Sequence, residues 1–273
     1  MTGKSYDLGD FLVFLRKTRE TPPYPWEPFT HRGRVAHNRR WQERRAQRVR
    51  LRARESGIAI PESWSDEDVC GVYLMLCTTV YDVPGFEPRG HVVDVGASCG
   101  DYAVVTARRP EVTEVLALEP APHNAQRARE FIALNHARAR LIEAAAGSRT
   151  GRMWLGDAGS GAVSVLSDRQ GFEVEVVALD DLPIDHIDFV KINVEGAELA
   201  VLEGAQRTLS FHRPRLAVSV HSRALAASVD QFLSRFGYRL AYHDRGVRAS
   251  YPMDLVQNRF YLPTEPIEGV GVP

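Results

Sequence analysis

The chain has 273 residues, of which 44% are hydrophobic and 25% charged, so it contains enough apolar material for a full core. The formal net charge is −1, so the chain has no strong overall positive charge that would attract a polyanionic partner. No apolar run reaches the ~18 residues that cross a bilayer, and Phe11 to Leu15 is too short for a signal-peptide core. The three cysteines follow neither a disulfide pattern nor metal-ligand spacing, which predicts a reducing, cytoplasmic location without membrane association.

Residues 1–60 are predicted to form a basic helical extension, and residues 61–273 a larger α/β domain. A short amphipathic helix over 5–19 is ended by prolines, and ten arginines then face one acidic residue, Glu43, between Arg32 and Arg54. We expect this arginine-rich segment to be a solvated helix that packs its few apolar residues on the domain or on a second copy in a homodimer. Those apolar residues are Val35, Trp41, Val49 and Leu51. A nucleic-acid arm is the less favoured alternative, because the only aromatic side chain in the segment is Trp41.

The next segment, from Glu62 to Val80, is predicted to be one helix. Ser63 or Ser65 would cap it, and acidic residues occupy its first turn, where they favour the helix dipole. The apolar stripe that would cover the sheet consists of Val69, Val72, Tyr73, Leu76 and Val80.

A strand, a glycine-containing turn and a helix follow each other from residue 92 to residue 108. Apolar residues 92–95 predict a buried strand, Gly96 to Gly100 a tight turn, and the run from Tyr102 to Arg108 a helix. The next strand, Glu114 to Leu118, ends on Glu119. In doubly wound folds an acidic side chain at this place accepts hydrogen bonds from ribose hydroxyls. This unit therefore predicts a site for a nucleoside-bearing cofactor.

The spacing of the turn favours one cofactor over another. Dinucleotide folds use G-x-G-x-x-G, whereas this chain has Asp94-x-Gly96-x-x-x-Gly100, with Ser98 in place of the second glycine. A phosphate cradle is thus disfavoured, and S-adenosylmethionine, which carries no phosphate, is the predicted ligand. Amides at the helix start would receive its carboxylate, and Asp94 would lie near its ammonium. The alternative is a purely structural strand-to-helix turn.

The chain then continues the alternation of helices and strands. A helix is predicted over His123 to Asn135 and a third strand over Leu141 to Ala145, after which small residues at 145–147 would let the adenine ring lie against backbone. Short apolar pieces in the glycine-rich stretch 147–171, and then Phe172 to Leu179, predict small antiparallel strands or a flap beside the site.

A second group of polar residues follows two later strands. The buried strand Phe189 to Ile192 leads into Asn193 and Glu195 and then into a helix predicted over Ala197 to Leu209. The strand Arg215 to Val220 ends at His221. The carboxyl ends of central strands are where ligands bind in such sheets. Because Glu195 and Glu198 also lie at a helix start, capping is the alternative role for these two carboxylates.

The last predicted elements complete the sheet. They are a helix over Ala224 to Phe236 and strands over Tyr238 to Tyr242 and Arg259 to Leu262. The two strands are predicted to pair as a hairpin, with residues 244–257 as a long connection over the site.

The candidate catalytic residues are His221, Glu195 and Glu198. His221 is the preferred general base because histidine titrates near neutrality, and Glu195 is the second candidate. His186 and His243 are weaker candidates, and Lys191 is expected to be a strand residue that pairs with a carboxylate rather than a catalyst. A Mg²⁺-assisted alternative would gather Asp180 or Asp181, Asn193 and Glu195, but the spacing does not enforce it, so no metal is favoured. The candidate cofactor residues are Asp94, Gly96, Ala97, Ser98, Gly100, Tyr102, Glu119, Pro120, Asn124, Ala145 and Asn193.

The sequence resembles the FkbM family of S-adenosylmethionine-dependent methyltransferases over roughly residues 65 to 262. The resemblance rests on VVDVGASCGDYA at 92–103, LALEP at 116–120, AAAG at 144–147, VVALDDL at 176–182 and IDFVKINVEGAELAVLEGA at 187–205. It implies a class I methyltransferase, Rossmann-like fold, with a seven-stranded, mostly parallel sheet whose final strand is antiparallel and with helices on both faces. It also implies O-methylation of a hydroxyl on a sugar or natural-product small molecule. The sequence departs from the family at Asn193, where the family usually has aspartate.

Other functions are weighed against this one. N-methylation of an amine or guanidinium would use Glu195 and Glu198 to bind the cation. A nucleic-acid methyltransferase is disfavoured because base-methylating enzymes usually carry an Asn or Asp-Pro-Pro-aromatic string after the fourth strand, where this chain has Asn-Val-Glu-Gly. A non-catalytic scaffold is disfavoured by the intact Gly96, Gly100 and Glu119.

Overall fold

A computed structural model describes residues 31–78, 80–155, 172–244 and 256–264 of the chain, with side chains in the first helix described from Gln42 onward. The chain divides into two compact units, one ending at Pro84 and the other beginning at Gly85. The domain boundary expected after residue 60 stays a prediction. The predicted helix over 5–19, the central part of the flap at 156–171 and most of the connection at 245–255 lie outside the described residues.

The described part of the N-terminal unit contains three helices, α1 (His31–Glu55), α2 (Asp66–Gly71) and α3 (Tyr73–Cys77). The single helix predicted over 62–80 was wrong, because the helix is interrupted at Val72, which leaves helical geometry (φ −84°, ψ 7°) and separates α2 from α3. Ser65 caps α2 as predicted, since its hydroxyl accepts from the Asp68 amide at 3.2 Å while the Asp68 carboxylate accepts from the Ser65 amide at 3.0 Å.

The arginine-rich segment forms α1 and packs one side within the N-terminal unit. Ala46, Val49 and Ala53 are buried at helical spacing. The prediction held for Val49 but was wrong for Leu51, which is 56% exposed. Arginines of α1 also make contacts inside this unit, such as the 3.1 Å ion pair between Arg50 and Asp66.

The C-terminal unit is built on a seven-stranded sheet of order β3-β2-β1-β7-β8-β10-β9. Its strands are β1 (Gly90–Val95), β2 (Val112–Leu118), β3 (Ala139–Ile142), β7 (Phe189–Ile192), β8 (Arg215–Val220), β9 (Tyr238–His243) and β10 (Gln257–Pro263). All neighbours are parallel except β10, which is antiparallel to both β8 and β9. This order and the antiparallel final strand confirm the predicted class I methyltransferase fold and the predicted hairpin.

A smaller three-stranded sheet of order β4-β6-β5 lies beside the main one. It contains β4 (Ala145–Ala146), β5 (Gly151–Leu155) and β6 (Phe172–Val177). Strands β5 and β6 are antiparallel, as predicted for this stretch. The third strand predicted over Leu141–Ala145 was wrong in its bounds, because β3 stops at Ile142 and residues 145–146 pair with β6 instead.

Among the residues described after Gly85, four α-helices connect the strands: α4 (Asp101–Ala107), α5 (Pro122–Leu134), α6 (Glu198–Glu203) and α7 (Arg223–Ser234). The helix predicted over Ala197–Leu209 is shorter, because Gly204 ends it and a separate π-helical turn spans Thr208–His212. Asp180 holds that turn by accepting hydrogen bonds from the Thr208 amide and hydroxyl, both at 2.8 Å.

The core explains why polar residues of distant segments meet. Val190, Ile192 and Val218 belong to a buried apolar cluster with residues of α6 and α7 on one face of the sheet. Alternate residues such as Lys191 point to the other face, where the Tyr102 ring of α4 lies 5.7 Å from the lysine nitrogen. The residues that follow β1, β2, β7 and β8 therefore gather at one edge. None of the helices in the described part of the chain is long and apolar enough to cross a bilayer.

Candidate active site

The turn after β1 requires glycine at its first position. Gly96 has a φ of 78°, and a Cβ there would lie 1.9 Å from the backbone oxygen of Asn193, which follows β7. The amides of Gly96 and Ala97 both donate to the Leu118 carbonyl at the end of β2, at 3.0 and 2.9 Å. The turn is thus fixed between two neighbouring strands. Ser98 also adopts a left-handed conformation, with a φ of 50°.

Glu119 lies at the end of β2 and is 6% exposed. Its Oε2 accepts from the Ser98 amide at 2.8 Å, and its Oε1 accepts from the Ala121 amide at 3.0 Å and from the Asn124 side chain at 3.3 Å. These donors use three of about four acceptor positions of a carboxylate. Burial raises the pKa of Glu119 even though the three donors oppose the shift. Glu119 therefore joins the β1 turn to the start of α5, and about one acceptor position of its carboxylate is not used by these three donors.

Two further predicted cofactor residues lie beside this carboxylate. Pro120 directly precedes Ala121, and Ala121 packs in a small buried cluster with Ala145 of β4. The residues expected to flank the ribose and the adenine are thus near one another. Gly100 (φ 80°) closes the turn, and a Cβ there would lie 3.2 Å from the Cα of Ala128.

Asp94 and Lys191 form a buried ion pair beneath the turn, with 0% and 4% exposure. The lysine nitrogen lies 2.8 Å from Asp94 Oδ1 and donates to the Gly96 carbonyl at 2.8 Å. The expected pairing of Lys191 with a carboxylate is confirmed. Sequence reasoning missed that its partner is Asp94, whose Oδ1 is therefore already engaged within the protein.

Two acceptor atoms are buried next to this pair without a hydrogen-bond partner among the described residues. They are Asp94 Oδ2, on strand β1, and Asn193 Oδ1, on the residue that follows the neighbouring strand β7. A buried acceptor without a donor costs about 1 to 3 kcal/mol. The site is therefore suited to a ligand that brings a hydrogen-bond donor, as the ammonium group of S-adenosylmethionine does.

His221, Glu195 and Glu198 meet at the ends of β7 and β8. His221 Nδ1 lies 2.7 Å from Glu198 Oε1, and Nε2 lies 3.2 Å from Glu195 Oε2. Glu198 Oε1 also accepts from the backbone amides of Val194 at 3.3 Å and Gly196 at 3.2 Å. Glu198 therefore binds the backbone that leads into α6 and also holds the imidazole. It is the acidic residue of the first turn of α6, but that helix has no side-chain cap hydrogen bond, so the capping alternative was wrong.

The charges of this cluster shift the pKa values of its members. Burial lowers the pKa of His221, but the hydrogen bond to Glu198 and the charge of Glu195 outweigh it, so the net pKa is raised. Burial and the nearby Glu198 raise the pKa of Glu195, against the lowering effect of His221 and Lys191. Glu195 has a φ of 54°, and a non-glycine residue in this conformation is strained, as is common at functional sites.

Other predicted candidates lie elsewhere. Asp180 is engaged by the π-helical turn, and Asp181 accepts from the Thr150 hydroxyl at 2.6 Å, so neither joins Asn193 and Glu195. Within the described residues, no group of three or more His, Cys, Asp or Glu side chains is arranged to hold a metal ion. His186 lies against the His212 ring, with centroids 5.2 Å apart.

Asp101 was missed by the sequence reasoning. Asp101 follows Gly100 at the first position of α4, where an acidic residue is normally explained by its favourable interaction with the helix dipole. Burial and the nearby Asp94 raise the pKa of Asp101 to about 7, although Lys191 opposes the shift.

The sheet order, the turn after β1 and the acidic residue after β2 define the class I, S-adenosylmethionine-dependent methyltransferase fold. The model of the methyltransferase FkbM domain matches residues 94–240, which is more than half of the chain. The chain belongs to the FkbM methyltransferase family. No curated protein matches it.

Solved structures of methyltransferases are similar to the chain at low identity. A methyltransferase FkbM from Methylobacillus flagellatus KT is 22% identical to this chain, with a TM-score of 0.45. The match covers 80% of this chain and 58% of the M. flagellatus chain. The chain thus spans less than two thirds of that protein. A precorrin-6y C5,15-methyltransferase from Geobacter metallireducens GS-15 is 16% identical (TM-score 0.44, 76% of this chain and 94% of its own). TYW2 from M. jannaschii, in complex with AdoMet, is 14% identical (TM-score 0.43, 74% of this chain and 78% of its own).

Proposed function

We propose that the protein transfers a methyl group from S-adenosylmethionine to a hydroxyl of a small molecule such as a sugar or natural product. Family membership supports methyl transfer, and the observation that supports a hydroxyl acceptor is the arrangement of His221 between Glu195 and Glu198. The acceptor would lie beyond the ends of β7 and β8, where these residues meet.

The residues at the turn after β1 fit the cofactor. Glu119 has an acceptor position left for the ribose hydroxyls, and the unpartnered Asp94 Oδ2 and Asn193 Oδ1 suit the donors of the ammonium group. Ala145 and Pro120 would flank the adenine. When bound, S-adenosylmethionine supplies an electrophilic methyl carbon on a positively charged sulfur.

The protein's part in the reaction is alignment and proton removal. Holding two reactants in line contributes about 7 to 11 kcal/mol when the geometry is enforced. In this proposal the turn after β1 and the buried Lys191–Asp94 pair would hold the cofactor, and the Glu195–His221–Glu198 cluster would hold the acceptor. Removing the proton of a hydroxyl adds about 10²- to 10⁴-fold in rate.

The same cluster argues against an amine or guanidinium acceptor. That alternative requires Glu195 and Glu198 to bind the cation together. Glu198 is fully buried: its Oε1 lies 2.7 Å from His221 Nδ1 and accepts from two backbone amides, and its Oε2, which has no partner among the described residues, is also out of reach of solvent. A cation would therefore meet only Glu195, which is itself bound to His221. A hydroxyl needs no such pair of carboxylates.

The first test of this proposal is calorimetric binding of S-adenosylmethionine and S-adenosylhomocysteine. We expect both to bind the wild-type protein and Glu119→Ala to lose at least ten-fold in affinity, because a hydrogen bond to a charged group contributes about 1.5 to 3 kcal/mol. Glu114→Ala is the matched control, since Glu114 lies on the same strand and pairs with the exposed Arg140. Absence of binding to the wild-type protein would refute the proposal.

The second test separates the acceptor classes. The protein and labelled S-adenosylmethionine are incubated with panels of sugars, phenols, primary amines and guanidines, and methylated products are identified by mass spectrometry. The proposal predicts products among the hydroxyl compounds. Products confined to amines or guanidines would overturn the assignment to O-methylation.

A further inference from the structure

The three side chains of the cluster at the ends of β7 and β8 differ in their exposure to solvent. The side chain of Glu195 is 23% exposed, that of His221 is 5% exposed and that of Glu198 is fully buried. His221 is the preferred base on chemical grounds alone, because its usual pKa is near neutrality. The contacts of His221 in the structure favour a different role for this side chain.

Glu198 fixes the proton on one ring nitrogen of His221. Glu198 Oε1 accepts from the amides of Val194 and Gly196 and lies in a fully buried side chain. His221 Nδ1, at 2.7 Å, must then be the donor of the third bond to this oxygen. A neutral ring with its proton on Nδ1 has a lone pair on Nε2.

The second ring nitrogen faces another carboxylate. Nε2 lies 3.2 Å from Glu195 Oε2, and two lone pairs at this distance would repel each other. A proton between the two atoms removes the repulsion and makes a charge-assisted hydrogen bond. The raised pKa of His221 favours the ring nitrogen as the site of this proton. With both nitrogens carrying protons, the ring has no lone pair with which to accept one from a substrate.

We propose that Glu195 contacts the acceptor hydroxyl and takes its proton, and that His221 and Glu198 are positioning residues that hold Glu195 in place. This inference rests on the proposed function, since it assigns roles within the same site. Glu195 Oε2 is held by His221, and Oε1 is the oxygen left for the acceptor. The strained, left-handed backbone at Glu195 is consistent with a side chain that the neighbouring structure holds in one orientation.

The proton transfer balances without a further reactant. The O–H bond of the acceptor breaks and its electron pair forms the new bond to the methyl carbon. The bond between that carbon and the cofactor sulfur would break at the same time, and its electron pair would stay on sulfur, which leaves S-adenosylhomocysteine. The proton ends on Glu195. The charged groups that face Glu195 are His221, Glu198 and Lys191, and two of these three are cations when His221 is protonated.

Nuclear magnetic resonance of the histidine ring nitrogens tests this arrangement without an acceptor. In ¹⁵N-labelled protein at pH 7, the proposal predicts that both ring nitrogens of His221 carry protons. The signals of His221 are identified as those that disappear from the spectrum of His221→Gln. In Glu198→Gln the ring should titrate about one to three pH units lower, as expected when an opposite charge is removed. Glu195→Gln should lower the titration as well, because it removes the second carboxylate. Glu203→Gln, an exposed carboxylate on α6, is the matched control and should change nothing.

The possible results separate the proposals. A neutral His221 with a bare Nε2 at pH 7 would overturn the assignment of Glu195 and return the role of base to His221. A titration in Glu195→Gln that equals the wild type would also overturn it, because Nε2 would then have no carboxylate partner. The spectra do not depend on methyl transfer, and calorimetry with S-adenosylhomocysteine on the same samples shows independently whether the proposed function fails.

Discussion

The buried pair of Lys191 and Asp94 allows a quantitative test of how the cofactor turn is held. Substituting Lys191→Met keeps much of the side-chain volume but leaves Asp94, which is 0% exposed, as a buried charge without its cation. Breaking a buried pair by removing one partner costs about 3 to 5 kcal/mol. The substitution also removes the hydrogen bond to the Gly96 carbonyl, so we expect weaker binding of S-adenosylmethionine as well.

Urea denaturation of the wild type, both single variants and the double variant Lys191→Met with Asp94→Asn measures the free energy of unfolding. Because the double variant leaves no buried charge, it should be more stable than the sum of the single losses by about 0.5 to 3 kcal/mol. The exposed pair Arg140–Glu114 is the control, since such pairs contribute about 0 to 1 kcal/mol. A loss below about 1 kcal/mol for Lys191→Met, or additive losses, would refute the reasoning.

Three further predictions concern the same turn. Gly96→Ala should abolish calorimetric binding of S-adenosylmethionine and lower thermal stability, because its Cβ would meet the Asn193 carbonyl. In the control Gly85→Ala, the residue also has a positive φ of 84° but its Cβ would enter open space, so only the backbone strain should lower the stability. Equal effects of the two substitutions would contradict this prediction. Burial raises the pKa of Asp101 to about 7, so the folded protein keeps this proton at pH values where the unfolded chain has lost it. The contribution of this group to the free energy of unfolding is therefore fully present below the unfolded pKa and is lost as the pH rises through about 7. Asp101→Asn should therefore gain stability over the wild type at pH 8 but not at pH 4 in urea titrations, and a constant difference would argue against it. Glu119→Gln should bind S-adenosylhomocysteine more weakly than the wild type, and unchanged affinity would show that the ribose does not use this carboxylate.

The sequence was sufficient for the elements whose pattern is local. The apolar runs at 92–95 and 189–192, the glycines at 96 and 100 and the acidic residue at 119 each determine a strand, a turn or a strand end by themselves. Their order along the chain then predicts the sheet. The strand order and the antiparallel β10 agree with that prediction.

The errors arise where tertiary contacts decide. Residues 145–146 have the composition of a strand in the main sheet, but they pair with β6, which comes more than twenty residues later. The helix after β7 ends early because Gly204 packs against the backbone of Gly147, where a Cβ would lie 2.0 Å from the carbonyl oxygen. Neither contact is visible in a sequence window.

The candidate site shows the same division. The positions of Glu195, Glu198 and His221 follow from strand ends, and sequence alone brings these residues to one edge. Which carboxylate is buried and which is exposed depends on the backbone amides of Val194 and Gly196, which fix Glu198. The pairing of Asp94 with Lys191 likewise depends on the register of β1 and β7, in which these two residues are direct partners.

A crystal structure of the protein with S-adenosylhomocysteine tests the account most directly. We predict that the ribose hydroxyls lie within hydrogen-bond distance of the Glu119 carboxylate and that the amino group meets Asp94 Oδ2 or Asn193 Oδ1. A ligand bound elsewhere, or a Glu119 side chain turned away from the sugar, would contradict the assignment of the cofactor site and the acceptor site built on it.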